Sequence, residues 1–437
     1  MKSVEKRFLL PFILVTICFA LWGFANDITN PMVKAFSKIF RMSVTDGTLV
    51  QVAFYGGYFC MALPAALFIR KFNYKAGLLM GLGLYACGAL LFLPAKASGN
   101  YYPFLLAYFI LTCGLSFLET SANPYILSMG DKETATRRLN LAQAFNPIGS
   151  LAGMFVAMRF IQSRLDPLST EERALLDDVQ FETVKASDLN VLCQPYLIIG
   201  VVLVVMFVLF LIALPKTSPE ESAGVPMGSF GDTMRRLWKN KTYRYGVLAQ
   251  FFYVGVQIMC WTYIIQYGTR VFVEEGMPEL DAEVLSQRYN IIAMIIFCVS
   301  RFVCTWLMRY FRSYKMLTVF ALAGIVLAAG VIFMKGRLGL YCLVGISANM
   351  SLMFPTIYGI ALHDVGEDAK LGAAGLIMAI LGGSVLPPLQ ARIIDGTGVM
   401  GLPSVNVSFI VPLLCFVVIV CYGLYVSRSH KQLGLEK

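Results

Sequence analysis

Charge is scarce in this chain. Of 437 residues only 36 are basic and 26 acidic, 14% together, against about 25% in ordinary soluble domains. That shortage excludes a soluble globular protein, and no long stretch of ordinary composition is left over to build a water-facing catalytic domain. Histidine is nearly missing: His363 and His430 are the two, both near expected cytoplasmic ends and without metal-ligand company. The eleven cysteines contain no C-x-x-C pair. They are scattered through apolar runs (Cys18, Cys60, Cys87, Cys113, Cys298, Cys304, Cys415) and read as small apolar residues rather than redox or metal groups. A phosphate-binding glycine loop with its lysine is lacking too, which argues against ATP drive within this chain.

What the chain has is apolar residues, 58% of the total, in runs rather than in alternation. Runs argue against a β-barrel, and their abundance excludes disordered, collagen-like and small disulfide scaffolds. The expected fold class is an all-α membrane protein with twelve transmembrane helices, since twelve spans of about 20 residues need about 240 residues. The segments fall at 9–33, 47–69, 76–95, 102–128, 138–162, 192–214, 243–271, 286–310, 315–335, 338–362, 369–392 and 403–426. Met1 to Phe24 has the order of a signal peptide, but with many spans following it reads as a retained first helix.

The net charge of +10 does not point to nucleic acid, because the basic residues sit in short clusters between apolar runs. Threading the spans from a cytoplasmic amino terminus places 22 of the 36 basic residues on the cytoplasmic side, against 13 outside and Arg301 within a span. The bias predicts both termini in the cytoplasm of a plasma membrane, bacterial inner membrane by expectation. Lys34, Lys38 and Arg41 run against it, falling in the first external loop.

Two connections are long. Residues 163–191 form an acid-rich external one (Glu171, Glu172, Asp177, Asp178), and residues 215–242 a cytoplasmic one with Pro219, Gly224, Pro226 and Gly228. The second divides the chain into an N-terminal six-helix bundle (1–214), a cytoplasmic linker (215–242) and a C-terminal six-helix bundle (243–437). A weak internal repeat supports the division: Arg70, Phe72, Tyr74 and Lys75 are echoed by Arg309, Phe311, Tyr314 and Lys315, and Asn123-Pro124 by Phe354-Pro355. Two pseudo-symmetric six-helix bundles are the mark of a transporter with a central site.

Charges inside a bilayer cost a few kcal/mol on insertion scales, so each needs a reason. Asp27 stands in the first span, Glu119 in the fourth and Arg301 in the eighth. Burial and a nearby polar partner act on a carboxyl group in opposite senses, so a modest rearrangement can load or release a proton. Glu119 and Asp27 are therefore candidates for proton coupling, Asp27 being equally suited to cap the helix that Asn30 and Pro31 break. Arg301 reads as a structural charge paired with a carboxylate or with backbone carbonyls.

Uncharged polar groups point to the cargo. Gln143 and Asn146 are three apart on one helix face just before Pro147, and Gln250, Tyr253, Gln257 and Trp261 recur at steps of three and four along the seventh span. Gln51, Tyr55 and Tyr58 do the same in the second. Amides beside aromatic faces suit a sugar, whose hydroxyls need partners and whose ring has an apolar side. The same groups also serve as helix-to-helix hydrogen bonds in membranes. Gly56-Gly57 and Gly382-Gly383 read as sites of close helix packing.

The segments Gln51-x-Ala53-Phe54-Tyr55-x-Gly57-Tyr58-Phe59, Leu118-Glu119-Thr120-x-Ala122-Asn123-Pro124, Arg138-Leu139-Asn140-Leu141-Ala142-Gln143-x-Phe145-Asn146 and Ala249-Gln250-Phe251-x-Tyr253-Val254-Gly255-x-Gln257 together resemble the fucose:proton symporter family of the major facilitator superfamily. The resemblance implies the major facilitator fold, alternating access and symport of a monosaccharide with a proton. By motif it assigns the proton-carrying glutamate to Glu119 and sugar contacts to Gln143 and Asn146. The family's first-helix aspartate matches Asn26-Asp27-Ile28-Thr29-Asn30-Pro31 only in part, and counting back without gaps from Gln51 puts it at Asn30, one turn on. Asp27 and Asn30 share a face, so either serves the same cavity.

The expected function is thus proton-coupled monosaccharide symport, L-fucose first, with Glu119 and Asp27 in coupling and Gln143, Asn146, Asn30, Asn123, Gln257, Trp261, Tyr253 and Tyr55 as sugar contacts. Glucose, galactose or N-acetylglucosamine as cargo, and sodium in place of the proton, remain open on the residues alone. A membrane-embedded enzyme is the remote alternative, disfavoured by the absence of a catalytic cluster. The expected partners are the sugar and the lipid bilayer, with no nucleic acid, no cofactor and a monomeric chain.

Overall fold

A computed structural model describes residues 8–29, 32–42, 49–168, 172–173, 175–214, 229–396, 398 and 401–432. Outside them fall Lys2, Lys6, Arg7, Asn30, Pro31, Glu171, the linker stretch 215–228 with Lys216 and Pro219, and Lys437, together with the side chains of Lys34, Gln51, His430 and Lys431.

Among the described residues, twelve helices are long and apolar enough to cross a membrane: Leu9–Thr29, Val52–Lys71, Tyr74–Ser98, Tyr102–Ser128, Lys132–Ile161, Asp178–Ala213, Lys241–Glu274, Asp281–Leu307, Ser313–Phe333, Arg337–Ala361, Ala369–Ile394 and Ser404–Ser429. These are the first to twelfth spans below. Polar residues mark where they start. Asn73 accepts from Ala76 N at 2.7 Å, Asp177 from Gln180 N at 2.7 Å, and Asn240 from Tyr243 N at 3.1 Å, each satisfying one of the orphan donors of a first helical turn.

The sixth helix begins at Asp178 rather than near 192, so the second half of the expected external connection is helical. Capped by Asp177 and free of proline and glycine until Pro195, its polar first turns continue the apolar helix into water. The expected linker holds a short helix of its own, Phe230–Lys239, tied by the Arg236 guanidinium to Asp368 at 2.7 and 2.8 Å.

The basic residues that broke the charge bias have work to do. Lys38 Nζ donates to Asp166 O at 2.5 Å, and Arg41 donates to the carbonyls of Arg173 and, at 3.3 Å, Leu176 while its guanidinium lies over the Phe181 ring. Arg173, itself buried, pairs with buried Asp188 at 2.6 Å. These cations tie down the connection between the fifth and sixth spans. Burial, with Arg173 close by, lowers the Lys38 ammonium from its usual range.

The chain packs as two units. One comprises residues 4–129 and 145–226, the other 130–144 and 227–437 with the first three residues. The boundary passes through the fifth span, whose stretch 130–144 packs with the C-terminal spans rather than with its chain neighbours. In the first unit the third and fourth spans approach so closely that a Cβ on Gly114 would strike the backbone of Tyr85, and one on Gly88 the backbone of Leu111. Phe92 stacks on Tyr196 at 4.0 Å, and the Tyr108 and Tyr196 hydroxyls share a 2.7 Å hydrogen bond. Of the paired glycines, Gly57 abuts Thr112, Gly382 abuts Phe251 and Gly383 abuts Ile258, whereas Gly56 faces open space and packs against nothing.

Among the described residues five spans are interrupted. The third breaks at Leu91, between Tyr74–Leu90 and Phe92–Ser98. The fifth breaks between Lys132–Gln143 and Asn146–Val156, the tenth between Arg337–Met350 and Met353–Ala361, the eleventh around Ala379–Leu381, and the twelfth at Phe409. Pro147 and Pro355 account for the breaks in the fifth and tenth, since a proline offers no N–H to the carbonyl four residues earlier. The carbonyls so deprived are those of Gln143 and Ser351.

Candidate functional site

In the first unit the fourth span carries the carboxyl group and the second span its partner. Glu119 is buried, and the Tyr58 hydroxyl donates to its Oε1 at 3.1 Å. Ser116, one turn before Glu119, donates to the Tyr58 carbonyl at 3.1 Å and so fixes the second span against the fourth. Asn123 is fully buried one turn after Glu119, and between them the Thr120 hydroxyl is buried without a hydrogen-bond partner. Asp27 is half-buried on the first span, within electrostatic reach of the half-buried Tyr55. Asn146 opens the second segment of the fifth span, and its Nδ2 donates to Phe19 O at 3.0 Å. A Cβ on Gly149 would strike the backbone of Ala20, so this segment lies directly on the first span.

The second unit holds the rest. Gln143 is buried at the end of Lys132–Gln143. The helix is interrupted between Gln143 and Asn146, so the shared face expected from their spacing is not that of one continuous helix. Tyr253 is fully buried and donates to Met350 O at 3.1 Å; Trp261 Nε1 donates to Ser347 Oγ at 3.2 Å and meets the Phe297 ring edge-on at 4.9 Å. Gln257 lies between them on the seventh span, half-buried. Gln250, one turn before Tyr253, is fully buried with neither amide atom bonded.

Arg301 is buried and its partners are backbone carbonyls, which answers the alternative left open by the sequence. Nε donates to Ser351 O at 2.5 Å and a terminal nitrogen to Gln143 O at 3.0 Å. The Tyr253 hydroxyl lies within electrostatic reach and the Phe297 ring lies 4.6 Å from the guanidinium carbon.

The structure therefore joins Glu119 to Tyr58 and Arg301 to Gln143, and it brings Asp27 within electrostatic reach of Tyr55. Ser347 and Ser351 were missed in the sequence, although their spacing of four before Pro355 was a usable signal. So was Asn140, whose Nδ2 donates to Thr356 Oγ1 at 3.2 Å. His363 lies past the tenth span and bonds Asp364 at 2.7 Å, which raises its imidazole above the ordinary value.

The sequence model of the Major Facilitator Superfamily matches residues 15–388. The chain is 51% identical over 431 residues to the L-fucose-proton symporter of Haemophilus influenzae, with 97% of each covered. It is 29% identical over 428 residues to a glucose/galactose transporter of Brucella abortus, with 98% of this chain and 96% of that one covered. A crystal structure of the Escherichia coli fucose:proton symporter superimposes with a TM-score of 0.86 at 32% identity, covering 96% of this chain and 99% of that one. These relatives are transporters. The chain is an integral, multi-pass membrane protein of the Major Facilitator Superfamily, within the family that holds the L-fucose-proton symporters.

Proposed function

We propose that this chain carries L-fucose and a proton together across the membrane by alternating access, acting as a single chain and not as an enzyme. The observation that carries the choice of sugar is the 51% identity, along nearly the full length of both chains, to a symporter of L-fucose, against 29% to a glucose/galactose transporter. The choice of coupling group rests on Glu119, a buried carboxyl group whose hydrogen-bond partner is a neutral hydroxyl.

In this reading Glu119 takes up a proton, which removes a charge from the membrane interior and lets the sugar bind. Gln143, Asn146, Asn30, Asn123, Gln257, Trp261, Tyr253 and Tyr55 are the residues that meet it, with Asp27 sharing the coupling role with Glu119. The loaded bundles 1–214 and 243–437 then rock, sugar leaves, the proton dissociates from Glu119 into the less acidic side, and the empty carrier returns. Tyr58 holds the carboxylate once the proton has gone. The bias of the basic clusters supports both termini in the cytoplasm, with the bacterial inner membrane as the setting.

The test is proton uptake by proteoliposomes on addition of L-fucose, with D-glucose, D-galactose and N-acetylglucosamine in parallel and sodium varied. External alkalinisation with L-fucose, independent of sodium, is the expected result. Sodium-dependent accumulation of a sugar without proton movement would overturn the coupling ion, and a response to D-glucose alone would overturn the cargo.

A further inference from the structure

We propose that Arg301 is a positioning residue of the transport cycle: its guanidinium clasps the two carbonyls that Pro147 and Pro355 leave without helical donors, and its bond to Gln143 exists only in the state where residues 130–144 pack with the C-terminal spans. The inference rests on the alternating-access reading above.

The chemistry of the two acceptors is the same. A helical carbonyl receives the N–H four residues on, and for Gln143 and Ser351 that residue is a proline. Each carbonyl is left in an apolar interior, where an unmet acceptor is costly. Arg301 Nε meets Ser351 O at 2.5 Å and its terminal nitrogen meets Gln143 O at 3.0 Å. The guanidinium meets the two carbonyls from separate nitrogens of one planar fork, whereas a lysine ammonium would need both carbonyls within reach of a single nitrogen. In return the carbonyl dipoles, Tyr253 and the Phe297 ring offset the cost of burying the cation.

The clasp is the end of a longer seam. Thr136, Asn140 and Gln143 follow one another at steps of four and three on one face of Lys132–Gln143. A Cβ on Gly359 would lie 2.7 Å from Thr136 Oγ1, Asn140 bonds Thr356, and Gln143 takes Arg301. By sequence this stretch belongs to the first six spans, yet it packs with the last six. If the two sets of spans rock, the seam parts and Gln143 O gives up the guanidinium, so Arg301 times the step.

The experiment measures labelled L-fucose uptake by the full chain in proteoliposomes. Arg301→Met should lower the maximal rate about tenfold, the worth of a charge-assisted hydrogen bond, and leave KM within about twofold. Arg301→Lys should fall between. Pro147→Ala and Pro355→Ala, which restore the missing N–H groups, should slow transport in the native background but recover part of the rate in Arg301→Met and Arg301→Lys. Losses that simply multiply, or a raised KM at unchanged rate, would overturn the proposal. Should Arg301→Met not accumulate folded, the sign reversal is read in Arg301→Lys. Should the native chain carry no L-fucose, the transport reading falls alone. Amide hydrogen exchange over 136–150 then decides the clasp: faster in Arg301→Lys supports it, unchanged overturns it.

Discussion

The Tyr58 hydroxyl reaches Oε1 of Glu119 at 3.1 Å across 61 positions of sequence, joining the second span to the fourth. A neutral donor can stay in place whether the carboxyl group is charged or not, which a lysine or arginine partner could not do without holding the negative charge permanently. Tyr58→Phe removes that donor and leaves the ring packed. Net L-fucose uptake, which requires the proton to leave Glu119, should fall about tenfold. Equilibrium exchange of labelled for unlabelled sugar, which requires no release, should change little. Equal loss of both would assign Tyr58 to sugar binding instead.

Glu119→Gln fixes the side chain in a neutral form that still accepts from Tyr58. Sugar-driven alkalinisation outside proteoliposomes should vanish, and exchange should persist at a measurable rate. Full proton coupling in this variant would exclude Glu119 as the carrier.

The histidine is the control for pH. His363 gains its partner Asp364 in the fold, so the pair contributes below the ordinary histidine range and the contribution is lost as pH rises through the raised value. The Asp364 side chain is largely open to solvent and that of His363 partly so, which keeps the effect small. His363→Gln should therefore leave the pH profile of uptake where it is. A displaced profile would move the coupling away from Glu119.

Asp188→Ala removes the carboxylate 2.6 Å from the buried guanidinium of Arg173 and leaves it the Leu168 and Asp166 carbonyls and the Asp166 carboxylate at 4.0 Å. Breaking such a pair from one side costs about 3 kcal/mol, which should appear as a lower midpoint of thermal unfolding in detergent and as faster proteolysis within 163–177. Replacing both partners by apolar residues should recover most of the loss.

Gly114→Val tests the contact between the third and fourth spans. The added side chain meets the Tyr85 backbone, and overpacking of this kind costs about 1–3 kcal/mol. Thermal stability should drop, while Gly56→Ala, in open space, should leave it unchanged.

The twelve spans were legible in the sequence because each must satisfy its backbone within one apolar run, so length and composition suffice. Legible, too, was the anomaly of Arg301, since a cation in a span always needs an account. Its partners were not, because Pro147 and Pro355 announce a free carbonyl without saying which side chain on another helix will reach it. Glu119 announced itself by residue type, whereas its tie to Tyr58 depends on how two helices are rotated against each other, which periodicity fixes only to a face. Lys38 and Arg41 stood out as exceptions to the charge bias, but their tertiary partners were not legible, and the helical start at Asp178 was hidden because polar helical turns resemble loop to a hydropathy reading.

The sixth span has a use as a ruler. Its 36 residues extend about 54 Å along the axis, and hydrocarbon accommodates about 30 Å of that. Tilt absorbs little of the difference. Several turns near Asp178 therefore stand as a stiff mast beyond the lipid, continuous with the bundle beneath. A fused domain or bound antibody fragment carried there would report the bundle's rotation without a flexible joint between signal and source.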